Sequence, residues 1–217
     1  MAAQVAEWDA ASDGRAIFLD CYRTMTDAVV ERIESGAFVD GEWVGRLLDR
    51  FADYYFVSID GGAEVLTVPE PWVLAHAAAV GNDAAPIQLL LAGVNAHINY
   101  DLVLTLVDLL DDEWPASSQE HREARRRDYD LVNVVIAETA DLVQDDVLER
   151  RSPWLDVFDR GLGRLDERMA VRLLSGWRTR VWRQATDLLE RRDPADRATQ
   201  IAVIERQCVR RARWILL

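Results

Sequence analysis

"LAGVNAHINYDLVLTLVDLL", residues 91–110, decides the fold. Leu, Val, Ile and Ala occupy every side of the helix that this stretch would form, and a helix apolar all round belongs at the centre of a bundle. Pro86 stands at a helix-start position, and the rod ends near Trp114-Pro115. Outward from it, apolar residues recur at helical spacing. A first helix is predicted from about Arg15 to Glu34 on Phe18, Tyr22, Met25, Val29 and Ile33, with Gly36 just beyond its end. A second runs from Glu42 to about Val57 on Val44, Leu47, Leu48, Phe51 and Tyr55. Gly61-Gly62 breaks the chain, Val65 to Val68 reads as extended or loop, and a short helix with Trp72, Val73 and His76 follows Pro71. Further helices are expected over Ser118 to Val147 and Arg164 to Arg191. Ser152-Pro153 restarts the chain between them, and Ser175-Gly176 marks a kink in the second. Asp193-Pro194 opens the last helix, striped by Ile201, Ile204, Cys208 and Ile215. The expectation is an all-α fold, a single helical bundle of about seven helices around a buried central helix, in one domain spanning 1–217 with residues 1–14 a flexible N-terminal segment.

With 217 residues, half of them apolar, the chain can bury a sizeable core. A formal charge of −13 argues against nucleic acid and against an acidic membrane surface, because both need clustered cations. All 25 basic residues are Arg, which removes Schiff-base lysine chemistry. Cys21 and Cys208 lie far apart and no signal-peptide pattern is visible, so a reduced cytoplasmic chain is expected. Residues 86–110 reach the length of a membrane span, but a central His, Asp and two Asn would be costly in lipid, and no membrane partner is expected.

Those four polar residues, Asn95, His97, Asn99 and Asp101, raise the functional question. At helical pitch Asp101 lies about 40° and Asp108 about 20° from His97, so the three share one narrow face. Asn95 and Asn99 point nearly the other way. An unsatisfied polar group in such a place costs roughly 2 to 7 kcal/mol, so each needs a partner. In one reading Asp101 accepts from His97 or from a buried Arg such as Arg50, and the Asn pair bridges neighbouring backbones. In the other, His97 is a general base or metal ligand and Asp101 its orienter or co-ligand.

His76, in "PWVLAHAAAV", completes a two-His, one-carboxylate set with His97 and Asp101 if it faces them, and the cofactor would then be a divalent metal. A satisfied core histidine is the plainer reading. Asp49, Arg50 and Asp53 precede an aromatic run and are candidates for a substrate pocket with Asn95, Asn99 and Asp128. A surface ion pair explains the Asp49/Asp53 spacing equally well. Asp130 and Asn133 stand where their helix turns apolar, whereas His121 reads as solvated. "DLLDDEW" reads as an acidic turn rather than a Mg²⁺ site. Asp9, Asp13, Gly14, Ile17 and Asp20 are spaced like an EF-hand loop, but too few residues precede them for an entering helix. Trp177 and Trp182, beside Arg178 and Arg183, read as packing anchors or as a pocket wall. Nucleophile elbow, Walker loop, HExxH and CxxC patterns are missing.

Three stretches, "DRFADYYF" at 49–56, "QLLLAGVNAHINYDL" at 88–102 and "RRDYDLVN" at 126–133, resemble a bacterial family, domain of unknown function 5995. The resemblance implies an all-helical domain and brings no activity, cofactor or catalytic residue with it.

Two functions are expected. One is a small-molecule enzyme using a buried His/Asp site for acid-base or metal-assisted hydrolysis, lyase or cyclisation chemistry, with natural-product metabolism as its setting. The other is a non-catalytic ligand-binding or assembly module, homodimeric through the C-terminal "IERQCVRRARWILL", whose polar stripe is a structural network.

Overall fold

The computed structural model describes residues 1–60, 68–81, 84–143 and 165–217. Among them there is no strand. In chain order the helices are α1 (Ala2–Ala10), α2 (Arg15–Glu34), α3 (Gly41–Asp60), α4 (Glu70–Gly81), α5 (Pro86–Ala96), α6 (Leu102–Leu110), α7 (Gln119–Val143), α8 (Leu165–Glu190) and α9 (Pro194–Ile215). A π-turn over His97–Asp101 joins α5 to α6, and together they make the central rod. Against α5 pack α2, α4 and α9; against α6 pack α3 and α8.

Local chemistry sets the boundaries. Beyond α2, Gly36 takes φ 72°, with its N–H on the Ile33 carbonyl and the Ala37 N–H on the Arg32 carbonyl. That is the left-handed stop for which glycine has no steric penalty. Asp193 caps α9 by accepting from the Ala195 N–H at 2.9 Å, ahead of Pro194 at the first turn. At the start of α5 the Gln88 side chain accepts from the Ala85 N–H and donates to the Ile215 carbonyl, tying the central rod to the end of α9.

Gly93 decides how closely α2 approaches the rod. A Cβ there would lie 2.6 Å from Cδ2 and 2.7 Å from Cγ of Phe18, so only glycine admits that ring. Phe18 in turn touches Tyr22, Tyr55, Trp72 and His97, and the aromatic centre of the core is built around it.

Two expectations are corrected. The first fourteen residues are not a flexible segment: Ala2–Ala10 is helical, with Val5 and Trp8 buried against α2. Arg15 lies over the Trp8 ring at 4.5 Å, which fixes the segment by burial and cation–π contact together. The central helix is not a uniform α-helix, because the Leu102 N–H reaches back to the His97 carbonyl. The extension of α7 to Val147, the restart at Ser152-Pro153 and most of the Val65 to Val68 piece lie outside the described residues. Pro86–Leu110 is long and apolar enough to cross a membrane, and 78% of its most apolar window is buried inside the fold.

Candidate functional site

A π-turn widens the helix by one residue per turn, and such turns recur at functional sites. Here it holds His97 Nδ1 3.0 Å from Asp101 Oδ2. The same oxygen accepts the indole N–H of Trp72, from α4, at 2.8 Å. His97 and Asp101 are 2% and 1% exposed, so neither charge would be solvated. Burial pushes the Asp101 carboxyl well above the usual carboxylate range, opposed by the Trp72 hydrogen bond, and pulls the His97 imidazole well below its ordinary value.

Aromatic rings seal the imidazole. Phe51 stacks on it at 3.5 Å between centroids and 7° between planes. Tyr22 lies at 4.5 Å and Phe18 at 5.6 Å, both edge-on, with Tyr55 and Trp72 at 6.0 Å. His97 Nε2 is buried with no hydrogen-bond partner, and so is the Tyr55 hydroxyl.

The expected metal set is not assembled. Among the described residues no group of three or more His, Cys, Asp or Glu is placed to hold an ion. Trp72 is the physical reason. Its ring stacks on His76 at 5.0 Å while its N–H occupies Asp101, so the indole contacts both sides of the would-be triad. His76 Nε2 instead meets Ser58 Oγ at 3.0 Å, and burial lowers its pKa to about 4. A crevice of about 10 Å³, lined by Arg15, Tyr55, Trp72 and His76 among others, is room for roughly one water and does not reach His97 or Asp101.

The other candidates disperse. Asn95 turns away from His97 and onto α9: its amide donates to the Cys208 carbonyl at 3.0 Å, and its Oδ1 accepts from Arg211 at 3.0 Å and from the Asn99 amide at 3.3 Å. Asp49 and Asp53 are exposed. Asp108 does not line up with His97. The π-turn takes up an extra residue before it, and Asp108 surfaces to accept from Arg50 and from the Tyr54 hydroxyl at 2.7 Å. Asp128, 1% exposed, accepts the backbone N–H groups of Val39 at 2.7 Å and Asp40 at 2.8 Å and so pins the α2–α3 connection to α7. Arg126 holds Asp130, and Asn133 accepts from buried Arg178 at 2.6 Å.

Trp177 and Trp182 are core anchors, with Arg211 and Arg126 over their rings. The calcium-loop spacing fails because α2 already begins at Arg15, which Asp13 grips by two oxygens. Cys21 and Cys208 are free, and burial raises both thiols to about 12.

Trp72 is the partner of this polar pair that the sequence does not single out. A buried indole N–H usually finds an acceptor, so a Trp in the apolar "PWVLAH" segment is a readable signal for a polar group opposite it. Which polar group is a tertiary fact.

Fold and site define an all-helical protein whose aromatic core closes around one hydrogen-bonded His, Asp and Trp. The chain belongs to a family of unknown function, DUF5995, whose model matches residues 1–217. No curated protein and no solved structure matches it.

Proposed function

We propose that this protein is a non-catalytic helical binding or assembly module. Its buried polar residues specify the core, and its contacts are made on its outer surface. The observation that supports this reading is the seal around His97: five aromatic side chains surround the imidazole, and the crevice lined by three of them, Phe18, Tyr55 and Trp72, does not reach it. An acid–base catalyst must come within hydrogen-bond reach of its substrate.

A small-molecule enzyme, with His97 as base and Asp101 as its orienter in hydrolysis, lyase or cyclisation chemistry, is the second reading. One feature favours it: a buried, unpartnered Nε2 inside a π-turn. That reading needs Phe51 to leave the imidazole face.

The chain's three histidines make the test direct. Diethyl pyrocarbonate treatment of native protein, followed by peptide mapping, should modify partly exposed His121 and spare His97. Modification of native His97 at a rate near that of His121 would show an open site and sink the module reading.

A further inference from the structure

The C-terminal half of α9 carries a basic, partly apolar surface. Residues 201–217 hold four Arg against one Glu in a protein of net charge −13, so the acidic excess lies entirely elsewhere. Arg206, Arg210 and Arg213 are spaced four and three apart, which places them within about 60° of one another on the helix. Arg213 pairs with Glu70 at 3.1 Å, whereas Arg206 and Arg210 have no carboxylate partner among the described residues. Beside this ridge Trp214 is 72% exposed. Ridge and indole line a groove of about 470 Å³, with Val209 at its wall.

A concave apolar strip flanked by two arginines that have no carboxylate partner among the described residues fits one occupant by charge. Resting on the module reading above, the geometry points to an acidic amphipathic helix of a partner protein, its apolar stripe against the exposed Trp214 and Leu217 and its carboxylates on Arg206 and Arg210. Helix-in-groove docking uses anchors at this spacing, and Trp and Arg are the residues that dominate binding energy in such contacts. A second copy fits poorly, because a two-fold interface on α9 sets the same three arginines against each other. That argument runs against the homodimer expected from the amphipathic end.

The test uses full-length protein and a fluorescein-labelled synthetic peptide of about eighteen residues, helical, with Glu on one face and Leu and Phe on the other. Saturable binding by anisotropy is expected. It should weaken by roughly tenfold or more in Arg206→Glu/Arg210→Glu, in Trp214→Ala and with a scrambled peptide of the same composition. Three results would overturn the proposal: no saturable binding, equal binding of the scrambled peptide, or a concentration-dependent dimer in sedimentation that Trp214→Ala abolishes. Binding to vesicles of anionic phospholipid in place of the peptide also refutes it. Protection of His97, measured on the same preparation, separates the two levels. Lost protection removes the module reading while leaving a measured peptide affinity intact; retained protection without peptide binding removes only this occupant.

Discussion

His97 and Asp101 share a hydrogen bond of 3.0 Å across a π-turn, and the oxygen that makes it also takes the Trp72 N–H at 2.8 Å. One carboxylate oxygen therefore joins two segments of chain, the central rod and α4. Removing it strands the indole donor in the buried core. Asp101→Ala should cost about 3 to 5 kcal/mol, and Asp101→Asn, which keeps an acceptor for Trp72, distinctly less. Urea denaturation measures both. An Ala variant within about 1 kcal/mol of wild type would refute the structural role.

Acid should weaken the fold through His76. Its folded pKa, about 4, lies below the ordinary value of 6.5, so the unfolded chain takes up the proton first as pH falls. The contribution of His76 is fully present above pH 6.5 and is lost on descent to about 4. His97 acts in the same direction, while Asp101, with its raised carboxyl, takes stability away as pH rises above 3.8. Comparison with His76→Gln isolates the first effect. Wild type should lose up to about 3 kcal/mol more than the variant between pH 7 and 4. Parallel stability curves for the two proteins would contradict it.

Gly93 is expected to reject even a methyl group. In Gly93→Ala the new Cβ meets the Phe18 ring at 2.6 Å, and the ring is already packed on Tyr22, Tyr55, Trp72 and His97. A loss of about 1 to 3 kcal/mol follows from overpacking. Combining it with Phe18→Leu should cost less than the two single changes added together, because the clash is removed. Simple additivity in a thermal-melt double-mutant cycle would show that the ring moves aside freely.

Asp128 is predicted to be a tether and not a ligand. Asp128→Ala leaves the Val39 and Asp40 N–H groups without their acceptor and should cost about 2 to 4 kcal/mol. Hydrogen exchange at those two amides should accelerate in the variant. Unchanged exchange there would mean that another group replaces the carboxylate.

Much of this molecule was legible from local chemistry. Periodic apolar residues mark α2 at Arg15–Glu34 as observed, Gly36 marks its end, and Asp193-Pro194 marks the start of α9. The opposite faces of Asn95 and His97 follow from helical pitch and hold in the structure, since the two residues are close to the π-turn and little phase is lost between them. Asp108 lies beyond the turn, and the same arithmetic misplaces it. The anchoring of Trp8 is not legible in the sequence, because two buried side chains, Val5 and Trp8, on a nine-residue helix are too few to give a periodic signal.

By itself, then, the sequence determined an all-helical chain with a polar-studded apolar helix at its centre, because helix periodicity and caps are encoded within a few residues of where they act. Tertiary structure alone decided what His97 faces. Phe51, Tyr22, Phe18 and Trp72 come from three other helices, and only their packing places the His97–Asp101 pair in a hydrogen-bonded aromatic core. Burial and partner choice depend on residues distant in the chain, and no local pattern carries them.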